Sequence, residues 1–139
     1  MLIMEHITEV LLIEDEALDR ELVQELLALK GRGRIRITEA GDLSAGLGLL
    51  ESRTFDLVML DTRLREVSAL SALRAVGDLA PQTPILPHPT FLTPQVRHAA
   101  RQRGAFDVAA RGDLNAMWSA VQNLLSLRGE AAAANRVAS

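Results

Sequence analysis

Apolar residues in this chain fall into two kinds of pattern. Short runs such as Val10-Leu11-Leu12-Ile13, and Phe55 to Leu60 broken only at Asp56, have the pattern of strands buried in a parallel sheet. They predict strands over about Glu9–Ile13 and Asp56–Leu60. Between them Leu18, Leu22, Leu26 and Leu29 recur at helical spacing, which predicts a helix over about 18–30 stopped by Gly31. Arg34-Ile35-Arg36-Ile37-Thr38 alternates like a half-exposed strand. A weaker helix over about 44–52 contains Gly46 and Gly48, each costing roughly 1 kcal/mol against alanine where exposed. Tertiary packing must hold it.

The second half continues the alternation. A helix is expected over about Ser68–Asp78, then a short strand, Pro84-Ile85-Leu86, that runs into Pro87-His88-Pro89. Each of those prolines lacks a backbone donor, so the strand must end early or bend, and His88 is read as a loop residue. Thr93-Pro94 has the form of an N-cap followed by proline at the first helical position, and Gly104 closes that helix. A fifth strand is expected over Phe106–Ala110, and Asp113 caps a last helix to about Leu127. Trp118, with Met117 and Val121, reads as packing for that helix. Residues 1–128 then form one domain, with 129–139 as a frayed or helical tail or linker stump.

Five strands alternating with five helices predict an open α/β sheet with right-handed crossovers. This is a flavodoxin-like three-layer sandwich with a five-stranded parallel sheet in the order 2-1-3-4-5. Ligands bind such sheets where the strand order reverses, here between strands one and three. Both strands end in acids: Glu14-Asp15-Glu16 and Asp61. Carboxylates converging there repel one another, and the cation suited to them is a hard one such as Mg²⁺.

Composition narrows the alternatives. The 139 residues carry a net charge of −3, which gives no electrostatic case for binding nucleic acid. With no cysteine, disulfides and thiolate chemistry are excluded, and a reducing compartment, the cytoplasm, is the expected location. No apolar run approaches the length of a membrane span, and the opening Met1-Leu-Ile-Met-Glu-His6 lacks the parts of a secretion signal. Gly46-Leu47-Gly48 follows no strand directly and is too short for a phosphate loop. No nucleophile–base pair suggests an enzyme.

Over about residues 8–128 the chain resembles the receiver domain of two-component response regulators. Glu14-Asp15, Asp61, Thr83-Pro84-Ile85-Leu86 and Gly104-Ala105-Phe106-Asp107 leading to Arg111-Gly112-Asp113 carry the resemblance. It implies that Asp61 accepts a phosphoryl group from a histidine kinase or phosphotransfer protein. It also implies Mg²⁺ held by Asp61 and Asp15, with Glu14 assisting through water. The responding half departs from the family: Arg111 replaces a lysine, and Pro89 stands where Ser or Thr ends strand four, with Thr90 one residue late. Val108 takes the place of the aromatic switch residue, and Arg65 and Ala69 replace a proline and a glycine. Two readings follow: a phosphorylatable receiver, or a phosphorylation-independent pseudo-receiver acting as a protein-interaction module. Either implies contact with another signalling protein through the face of helix four, strand five and helix five, and leaves a homodimer open.

Overall fold

The computed structural model describes residues 6–64 and 67–138, the side chains of 128–138 excepted. Arg65 and the opening Met1–Glu5 therefore lie outside the described residues. Strand β1 (Thr8–Ile13) pairs in parallel with β2 (Ile35–Ala40) on one side and β3 (Leu57–Asp61) on the other. Strand β4 (Ile85–His88) pairs in parallel with β3, which gives the order β2-β1-β3-β4. Helices α1 (Ala17–Gly31), α2 (Leu43–Ser52), α3 (Ala69–Leu79), α4 (Pro94–Gln102) and α5 (Leu114–Ala138) complete a flavodoxin-like α/β fold. No described helix is long and apolar enough to cross a membrane.

Alternation along the strands divides the core into two layers. Val10, Leu12, Leu57, Met59 and Leu86 face Val23 and Leu27 of α1 and Met117, Val121 and Leu124 of α5. Trp118 is partly buried against this layer, as expected of helix packing. Leu11, Ile13, Val58, Leu60 and Ile85 face Leu50 of α2 and Leu73 and Val76 of α3. Helix α2 tolerates its glycines for different reasons. A Cβ on Gly46 would lie 2.5 Å from Cδ1 of Ile13, so the helix meets β1 there without room for a side chain, whereas Gly48 faces open space. Side chains close the helix starts at Asp42, Ser68, Thr93 and Asp113, each accepting from an amide three residues on.

Three expectations need correction. The leucine spacing located α1 but not its inner face: Leu18 and Leu29 are 68% and 76% exposed, and Val23 and Leu27 are buried instead. Helix α5 runs on through Gly129 to Ala138 rather than ending near Leu127.

The third concerns the fifth strand, because residues 106–110 form no regular strand and the sheet has four among the described residues. The segment still lies along β4, donating from Phe106 N–H to the Ile85 carbonyl (2.9 Å), Ala109 to Pro87 (3.2 Å) and Arg111 to Pro89 (2.7 Å). Residues 85, 87 and 89 thus turn their backbone towards it. Proline at 87 and 89 removes the two donors that would answer, so the bonds run one way only. The step from 106 to 109 opposite 85 to 87 also contains one extra residue, as in a bulge. Strand β4 does not stop early: Pro87 and His88 stay paired with Leu60 and Asp61.

Candidate functional site

Strand alternation that builds the core also builds the site. Following Val10 and Leu12, Glu14 continues the α1/α5 face, as Asp61 does after Leu57 and Met59 and His88 after Leu86. Glu14, Asp61 and His88 are buried to 1%, 0% and 1% exposure. One oxygen from each of Glu14, Asp15 and Asp61 lies within 4.8 Å of the others. The three acids expected to converge are thus brought together. An all-oxygen set of this kind suits a hard divalent cation, and one Glu14 oxygen, Oε2, is buried without a hydrogen-bond partner among the described residues. The donor set fits Mg²⁺.

Arg111 reaches the same point from the end of the 106–111 segment, anchored by its amide on Pro89. Its side chain is 12% exposed, with Nη1 3.3 and 3.4 Å from the Asp61 oxygens and Nη2 3.6 Å from Glu14 Oε1. Nη2 also donates to Asp19 Oδ2. Asp19 and its neighbour Arg20, whose Nη1 donates to the Glu14 carbonyl at 2.7 Å, were not foreseen from the sequence. The available signal was position: Asp19 stands four residues after Asp15, in the first turn of α1.

Charge in the cluster is shared unevenly. Burial, followed by a hydrogen bond with Asp61, pushes Glu14 up to about 9, so at neutral pH it holds a proton. Burial also pulls Asp61 upward. The hydrogen bond from Glu14, the Arg63 amide at 2.9 Å and the Arg111 charge outweigh it, and Asp61 stays ionised below the usual carboxylate range. Burial opposes the charge on Arg111, but the surrounding carboxylates prevail and hold it above its ordinary value.

His88 is a strand residue, not the loop residue expected. Both ring nitrogens are buried without hydrogen-bond partners among the described residues, and burial pushes the imidazole down to about 4 against the pull of Asp61, so it is neutral. It lies outside the group of three acids that could hold a metal.

The positions that the resemblance marks as a switch, Pro89, Thr90 and Val108, are arranged differently. The Thr90 hydroxyl is buried with no hydrogen-bond partner among the described residues. Pro89 and Val108 line an apolar pocket of about 260 Å³ with Leu70, Leu73, Val96 and Ala100, between α3 and α4. Neither can offer a hydroxyl to Asp61, and Val108 has no ring to move.

Comparison with known proteins matches residues 10–121 to the response regulator receiver domain. Ninety-two residues are 36% identical to the sensor histidine kinase AruS of Pseudomonas aeruginosa, covering 63% of this chain and 9% of that protein. A stretch of 83 residues is 39% identical to the transcriptional regulatory protein DltR of Streptococcus agalactiae, covering 60% of this chain and 34% of that one. The chain therefore spans about a third or less of the length of these relatives. Among solved structures, a CheY-like receiver domain protein from Methanospirillum hungatei superposes with a TM-score of 0.76 at 14% identity, covering 89% of this chain and 98% of that one. That likeness concerns the fold.

Proposed function

This chain belongs to the response regulator receiver domain family, and we propose that within it Asp61 is the phosphoacceptor of a two-component relay. The unit that acts is residues 1–128. One observation carries the reading: a buried, ionised Asp61 lies with Glu14 and Asp15 oxygens within 4.8 Å and an Arg111 donor 3.3 Å away. In the transfer, an Asp61 oxygen attacks the phosphorus of a phosphohistidine on a kinase or phosphotransfer protein. The new P–O bond forms as the P–N bond breaks, and the imidazole leaves with the electron pair. Glu14, Asp15 and Asp61 are the residues that would hold Mg²⁺, which neutralises charge on the transferring group when bound. Arg111 supplies the charge that lysine supplies in the family, through a planar fork in place of a point charge. Incubation with acetyl phosphate and Mg²⁺, followed by intact-mass measurement, tests this. A single phosphoryl adduct absent from Asp61→Asn is expected; wild-type protein without an adduct defeats the reading.

A second reading has its own support. Arg111 and the proton on Glu14 already offset the acids without a metal, and Pro89 and Val108 lack the groups that move in response. On this reading the chain is a pseudo-receiver that binds a signalling protein through α4, the 106–111 segment and α5, with no part for phosphate. Backbone chemical shifts of that face with and without beryllofluoride and Mg²⁺ separate the two. Large shifts there remove the second reading; shifts confined to the acidic cluster support it.

A further inference from the structure

We infer that Asp19 is a positioning residue for Arg111: it holds one edge of the guanidinium so that only the other edge meets Asp61. This rests on the phosphoacceptor reading of Asp61. The geometry divides the fork: Nη1 faces Asp61 at 3.3 Å, and Nη2 donates to Asp19 with Glu14 Oε1 3.6 Å away. Arginine and carboxylate left to themselves favour a bidentate pair, with two parallel hydrogen bonds closing both oxygens. Here Nη1 alone spans the two Asp61 oxygens, at 3.3 and 3.4 Å; a bidentate pair would bring Nη2 onto one of them as well and close them more tightly against attack on phosphorus and against the cation.

A lysine has no such second edge, so the need for Asp19 arises only because residue 111 is arginine. Asp19 is placed to meet it. Its carboxylate is 31% exposed on the first turn of α1. Arg20 fastens that turn to the Glu14 carbonyl at 2.7 Å. Glu14, Asp19, His88, Arg111 and Met117 line a cavity of about 50 Å³, and no further acceptor on α5 competes for Nη2 among the described hydrogen bonds.

Asp19 could alternatively act only as one more negative charge near the site, drawing Mg²⁺ from a distance. A double-mutant cycle on Mg²⁺ affinity, measured by calorimetry without any phosphodonor, tells the two apart. In the wild-type background Asp19→Ala should weaken Mg²⁺ binding by about tenfold, as loss of a group that orients a metal site does. In an Arg111→Lys background the same change should alter affinity by less than about twofold, since lysine needs no second anchor. A loss of equal size in both backgrounds would overturn the proposal, because a charge acting at a distance is indifferent to the shape of its neighbour. So would unchanged affinity in the wild-type background. Each variant's thermal unfolding is measured alongside, and a loss of Mg²⁺ binding that Arg111→Lys rescues cannot come from misfolding. Failure of Asp61 to take a phosphoryl group would show as a missing mass adduct, while this cycle would still read the coupling between Asp19 and Arg111.

Discussion

The proton on Glu14 governs how the acidic cluster meets a cation. With Glu14 at about 9, the protonated form dominates at pH 7 in the folded protein, while an unfolded glutamate there is ionised. The stability this group contributes is complete below about pH 4.5 and is lost as pH rises through 9 in the absence of metal. A cation held by the same oxygens must displace that proton. Mg²⁺ binding at pH 7 should therefore release about one proton and tighten as pH rises towards 9. Calorimetric heats in buffers of different ionisation enthalpy check this; heats independent of the buffer would contradict it. His88 works in the opposite direction. Its folded value of about 4 lies below the unfolded 6.5, so folding stability should fall between pH 6.5 and 4, by on the order of 3 kcal/mol. His88→Leu should flatten that fall in urea melts at pH 7 and pH 5. The sequence showed His88 between two prolines and so suggested a loop. Only the strand register shows that it turns inward beside Asp61.

At the scale of elements, glycine in α2 separates packing from propensity. Gly46→Ala should destabilise by about 1–3 kcal/mol, because its Cβ meets Ile13 in an already filled core. Gly48→Ala, with nothing near its Cβ, should stabilise by up to about 1 kcal/mol. Denaturant midpoints of the two variants give the signs directly, and equal signs would refute the account of α2. Helix caps at Thr93 and Asp113 were legible because an N-cap is a local bond between residues three apart. The inner face of α1 was not: its leucines mark a helix, but which side is buried depends on where the sheet lies. Residues 106–110 show the same dependence. Their pattern suited a strand, yet strand status needed donors from the neighbour, and of the three residues that face them, Ile85, Pro87 and Pro89, two are proline.

For the molecule as a whole, parallel pairing of β1 with β3 does the decisive work, because it carries two acidic strand ends to one edge of the sheet. That convergence could be read from the sequence, since two buried runs each ending in carboxylates leave few other arrangements in an α/β fold. Arg111 was placed there only through the resemblance, and the part of Asp19 could not be read, because its partner Arg111 is 92 residues distant along the chain. The measurement that bears most directly on the central claim is fluorine NMR of beryllofluoride, a phosphoryl mimic that needs no donor chemistry. If Asp61, the acidic pair and Arg111 form one phosphoryl-accepting site, bound fluorine resonances should appear only with Mg²⁺ present and vanish in Asp61→Asn. Free beryllofluoride alone at saturating Mg²⁺, or a bound signal that persists in Asp61→Asn, would contradict it.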